Sequence, residues 1–113
     1  MSRMLFLLFF SISTSISMPA SAEDNDYIYC QSVDDDIDVI YFSGVFLGDY
    51  GRSTRYKIDF HNYLTGAMGY EPSFSRTYCF FESSESHATS RMHAEMAEDR
   101  GRGYSIQVAT WSP

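Results

Sequence analysis

Basic residues are scarce in this chain of 113 residues: eight Lys and Arg stand against fifteen Asp and Glu, a formal net charge of −7. A polyanion such as DNA or RNA would meet a repulsive field and few cations able to displace its counterions, which excludes nucleic acid as a partner class. Cysteine is confined to Cys30 and Cys79 and histidine to His61, His87 and His93. Two thiols and three dispersed imidazoles do not make the ligand spacing of a zinc centre. The longest apolar run, Met4 to Phe10, is seven residues, far short of the roughly 20 that span a bilayer as a helix. Also missing are the G-x-S-x-G elbow of a serine hydrolase and the lysine of a phosphate-binding loop. No cofactor, metal or catalytic motif is therefore expected, and the chain reads as a non-enzyme.

What the sequence does contain begins at its start. Arg3 supplies a positive flank, Met4 to Phe10 an apolar segment, and Ala20-Ser21-Ala22 the small-x-small pattern of a signal peptidase site. Residues 1–22 are thus expected to be an export signal and residues 23–113 one globular domain, secreted or periplasmic. Cleavage would leave 113 − 22 = 91 residues with a charge of 7 − 15 = −8, because Arg3 departs with the signal. Glu23 follows the cleavage site where a lipoprotein would carry cysteine, so no membrane insertion is expected after removal. In an oxidising compartment, Cys30 and Cys79 are expected to form one disulfide.

Tyr27 to Val33 alternate as a strand, and Asp34 to Asp36 supply turn chemistry. Val39 to Leu47 resume as a second strand with apolar residues on both faces, the pattern of a strand covered on both sides. Ser53 or Thr54 is a plausible cap for a helix carrying Tyr56, Phe60, Tyr63, Leu64 and Ala67 on one face, with Gly66 and Gly69 as candidate stops. Arg76 to Phe81 form a third strand. Ser83 to Ser86 open a second helix, with Ala88, Met92 and Met96 at every fourth position, and Gly101 and Gly103 close it. Tyr104 to Trp111 end the domain as a strand. The expected fold is α+β, ordered ββαβαβ, with a four-stranded mixed sheet, two helices packed on one face and one disulfide. Strand one should run against the other three and lie between or beside strands two and three.

Asp34, Asp35, Asp36 and Asp38 could ligate a hard cation, but they lack the Gly and Glu of a calcium loop and read better as a solvated hairpin tip. Gly48 to Ser53, with Arg52 and Arg55, could receive an anion at a helix start, although Asp49 opposes it. Met92 and Met96 read as a core stripe. The sharpest functional feature is aromatic: Tyr27, Tyr29, Tyr78, Phe80 and Trp111 fall on the face opposite Cys30 and Cys79, which a two-layer domain would leave uncovered. The expected function is accordingly a protein-binding, accessory or inhibitor-type module using that face. Alternatives are an envelope or matrix component that self-associates, and a small secreted hydrolase or toxin gathering His61 or His93 with carboxylates.

Overall fold

The computed structural model describes residues 26–113, so the expected export signal lies outside the described residues. Strand β1 (Asp26–Asp34) is the organising element. One of its edges pairs antiparallel with β4 (Thr77–Glu82) along most of its length. Its other edge pairs antiparallel with β2 (Val39–Phe42) and then β3 (Phe46–Gly48). Strand β5 (Ser105–Val108) adds parallel to β2. Helix α1 (Ser53–Asn62) continues through a wider turn, Tyr63–Ala67, and helix α2 (Glu85–Gly101) connects β4 to β5. Among the described residues the fold is α+β with a mixed sheet of five strands, two helices and a Cys30–Cys79 disulfide, and β1 runs against the other strands.

The fifth strand arises from a bulge. Between the pairs Gln31↔Phe42 and Ile28↔Phe46, Tyr29 and Cys30 of β1 face three residues, Ser43 to Val45. The expected single strand from Val39 to Leu47 therefore breaks into β2 and β3. Ser43 stabilises the break: its Oγ accepts the Cys30 N–H at 2.8 Å and its own N–H donates to the Cys30 carbonyl at 2.9 Å. At the end of β3, a Cβ on Gly48 would come within 2.7 Å of both Ile28 Cδ1 and the Tyr56 hydroxyl, so the chain passes there without a side chain.

The layer arrangement departs from expectation. Tyr56, Phe60 and Leu64 of α1 and its continuation pack with Ile28, Cys30, Val39, Tyr41 and Phe46 on one face. Met92 and Met96 of α2 pack with Tyr29, Val33, Ile40 and Phe42 on the other. The helices thus cover opposite faces, giving three layers instead of two. Strand order supplies the reason. The crossover β3→α1→β4 moves to one side of the sheet and β4→α2→β5 returns across it, and connections of one hand that travel in opposite directions put their helices on opposite faces.

Local chemistry explains the helix ends. Asp49, not Ser53 or Thr54, caps the start of the first helical segment, its side chain accepting the Gly51 N–H at 2.9 Å in a tight turn that leads into α1. Ser84 caps α2 as its position predicts, accepting the His87 N–H at 3.2 Å. Gly69, at φ 72°, turns the chain after the first helix, where the Tyr70 N–H reaches the Leu64 carbonyl. Among the described residues, no helix is long and apolar enough to cross a membrane.

Candidate functional site

The five residues of the expected aromatic face do not share one surface. Tyr29 is fully buried beneath α2, its ring stacked on Phe42 and tilted against Phe80 at 5.2 Å. Trp111 lies on the opposite face, edge-on to Phe46 at 5.6 Å and against Phe60 at 5.2 Å. Ile106 and Val108 pair with Ile40 and Phe42 on the Tyr29 side of the sheet, so alternation along β5 itself carries Ala109 and Trp111 to the Cys30 side, and the expectation exchanges the two faces of that strand. Phe80 is half-buried, with the Arg91 guanidinium 4.5 Å above its ring, and Arg91 also pairs with Glu82 at 2.7 Å. Tyr27 is half-buried at the start of β1. Tyr78 alone projects freely, 44% exposed. The premise of an uncovered sheet face is therefore corrected: α2 covers its middle and leaves its rim along β4.

That rim has a second property, set by hydrogen-bond parity. Cys30 directs its N–H and carbonyl to Ser43, away from β4, so Cys30↔Cys79 is a non-hydrogen-bonded pair of the β1–β4 ladder. Its Cα–Cα distance of 3.9 Å fits that position. Tyr78, Phe80 and Glu82 therefore bond β1, while Thr77, Cys79 and Phe81 turn their backbone groups outward. The Thr77 N–H is taken by the Phe74 carbonyl. Among the described residues, the Cys79 and Phe81 N–H groups and the carbonyls of Thr77, Cys79 and Phe81 have no strand partner on that side. A groove of about 260 Å³ runs beside them, lined by Ser53, Thr54 and Lys57 of α1 and by Thr77 to Phe80.

The remaining sequence-derived positions scatter. The Asp34–Asp38 cluster is a hairpin tip: the Asp34 carboxylate accepts the Asp36 N–H, Asp35 bonds Arg76 and the Tyr104 hydroxyl, and Asp38 takes φ 55°. Arg52 and Arg55 line a separate cavity of about 350 Å³ near Pro113, and Asp59 pairs with Arg55 at 3.7 Å. His61 stacks edge-on against Phe74 at 5.1 Å, and burial lowers its pKa. His87 and His93 are exposed on α2, so the sheet separates them from His61. Asp99, buried at the end of α2, accepts from Arg102 at 2.5 Å, and burial still raises its pKa.

Tyr29 carries a hydroxyl with no hydrogen-bond partner among the described residues. Burial pushes its pKa up to about 12, with Glu95, Glu82 and Asp99 adding to the rise and Arg91 opposing it. Tyr29→Phe is expected to leave stability at neutral pH unchanged or to raise it by up to about 1 kcal/mol, because it removes an unpaired buried polar group. The pH dependence follows by linkage. Between the unfolded value of 10 and the folded value of about 12, only the folded state keeps the proton, so stability present below pH 10 is lost as pH rises through that window. Tyr29→Phe should flatten this alkaline limb in denaturant titrations. A loss above about 1 kcal/mol at neutral pH would mean that the hydroxyl has a partner.

Against known proteins, the chain matches no family model, no curated protein and no solved structure.

Proposed function

We propose that this protein is an exported, disulfide-stapled binding module that takes an extended segment of a protein partner along the outer edge of β4. The observation that carries this reading is the unpaired backbone of Cys79 and Phe81 beside exposed Tyr78 and the groove under α1. An added strand gains affinity from main-chain hydrogen bonds and specificity from alternate side-chain positions. Of the expected aromatic face, the proposed contact keeps Tyr78, which is exposed, and Phe80, which is half-buried. A chain of net charge −7 favours a neutral or basic partner. Export, from the composition of residues 1–22, belongs to the same reading, and the disulfide is compatible with it.

The test uses the purified oxidised protein and its Tyr78→Lys variant as baits against the native envelope or medium. Tyr78 is exposed, so the substitution should leave the melting temperature within a few degrees, about the range of surface changes. Proteins captured through β4 should fall about tenfold or more with the variant. They should also slow hydrogen exchange at the Cys79 and Phe81 amides of the wild type. Equal recovery by both baits, with those amides unprotected, would overturn the reading.

A further inference from the structure

Strand β4 is chemically self-complementary about Cys79. Arg76 and Glu82 lie three residues to either side of it, Thr77 and Phe81 two, and Tyr78 and Phe80 one. An antiparallel copy of the same strand, centred on Cys79, would therefore set Arg76 opposite Glu82, Tyr78 opposite Phe80 and Thr77 opposite Phe81. The backbone parity fits this register. Cys79 of each copy would exchange hydrogen bonds with Cys79 of the other, and each Phe81 N–H would reach the other copy's Thr77 carbonyl, whose own N–H is already committed to Phe74. Shifting the register by two residues sets Glu82 opposite Tyr78 in one direction and Arg76 opposite Phe80 in the other, and either shift forfeits the ion pairs.

We infer that β4 is a homodimer edge: two copies pair through Cys79 around a two-fold axis, joining their sheets into one. This rests on the proposed role of the β4 edge in binding and names a second copy as its occupant; the net charge of −7 on each copy opposes their approach, so the strand hydrogen bonds and the Arg76–Glu82 pairs have to outweigh that repulsion. An isologous contact requires a patch that complements itself, which β4 does in aromatic content and hydrogen bonding and, with Arg76 of the helical turn Phe74–Arg76 just before it, in charge. Among the described residues the edge also lacks the usual protection. Natural proteins blunt free edges with Lys, Pro, Gly-linked bulges or covering elements, whereas Thr77–Glu82 holds neither Pro nor Gly and carries one charge, at its last position. That charge is where the second copy's Arg76 would arrive. Each cross-strand aromatic pair and each opposite-charge pair occurs twice by symmetry, and such pairs favour association. The flanking groove leaves room beside the strand on the α1 side.

Sedimentation of the oxidised protein from about 1 μM to about 1 mM, the range of weak association, tests the inference. The wild type should pass from monomer to dimer within that range. Tyr78→Lys should weaken the dimer about tenfold or more. Arg76→Glu and Glu82→Arg should each weaken it, and the double reversal should restore it, a rescue that depends on Arg76 of one copy facing Glu82 of the other. Circular dichroism melts confirm that each variant is folded, since Arg76 also bonds Asp35 and Glu82 also bonds Arg91 within the chain. A wild type that stays monomeric throughout, or a dimer that Tyr78→Lys or the double reversal leaves unmoved from its single-reversal strength, overturns the inference. A monomer that still loses captured proteins on Tyr78→Lys would leave strand addition standing with another protein as occupant; a monomer with equal capture would remove both.

Discussion

Replacing both cysteines, Cys30→Ala with Cys79→Ala, should cost about 4 kcal/mol of folding free energy and lower Tm by about 15–30 °C. The bridge closes a loop with a sequence separation of 49 residues, and the chain-entropy cost of leaving such a loop open in the unfolded state sets the magnitude. A domain of this size is expected to hold about 5–10 kcal/mol in total, so the variant should sit close to its unfolding threshold. The effect should also be local. The bridge ties the centre of the β4 edge strand to the centre of the sheet, and among the described residues β4 has no neighbour on its far side. Hydrogen exchange at Tyr78 and Phe80, whose amides bond β1, should therefore accelerate more than exchange at Tyr41, inside the sheet. Chemical denaturation of both forms measures the first effect. A loss below about 1 kcal/mol would show that the reduced chain is already held together without the bridge.

This staple was legible in the sequence because it depends on few choices: the chain has two cysteines, and they can pair only with each other. Other features were legible for similar reasons. Helical spacing placed Tyr56, Phe60 and Leu64, and Ala88, Met92 and Met96, on buried faces without reference to anything distant. Strand parity correctly put Tyr27, Tyr29, Tyr78 and Phe80 on one side of the sheet, as the register Tyr29↔Phe80 and Gln31↔Tyr78 requires. What parity cannot say is which helix covers that side. A methionine stripe on α2 demands an apolar face to rest on and is indifferent to which one. The deciding information is strand order, a property of long-range pairing. One local clue pointed the right way: Val39 and Tyr41 on one side of β2, with Ile40 and Phe42 on the other, are satisfied only when both faces are covered. Two helices on one face left that pattern half unexplained. The bulge at Ser43–Val45 was invisible because Ser43 serves there as a backbone surrogate for the Cys30 N–H, a role set by register and not by composition. Trp111 is misplaced because the pattern of β5 alone does not fix which of its faces turns toward Tyr29: Ile106 and Val108 take that side, and alternation then puts Trp111 on the other. The outer edge of β4 emerged as a site only once β1 was known to use both of its own edges.

Phe42→Ala should cost about 3–5 kcal/mol, and this result separates the two layer arrangements. Phe42 is fully buried among Tyr29, Val33, Ile40, Met92 and Met96, with its ring centroid 6.1 Å from that of Tyr29. Truncation removes the transfer free energy of the ring and leaves a cavity that the α2 methionines fill only in part. Were both helices on the Cys30 face, Phe42 would point into solvent and the same change would cost less than about 1 kcal/mol. Tyr78→Ala supplies the internal contrast. It lies on the same face but beyond the cover of α2, and it should stay within about 1 kcal/mol of the wild type. Equilibrium denaturation of the two variants thus traces where α2 ends. It also decides which aromatic can report on binding. Tyr29 shares the Phe42 environment, so Tyr29→Ala would confound loss of contact with loss of fold, whereas a change at Tyr78 leaves the core intact. If Phe42→Ala proved nearly neutral, the covered face would be open after all, and the contact surface would extend from the β4 rim across Tyr29 to the centre of the sheet.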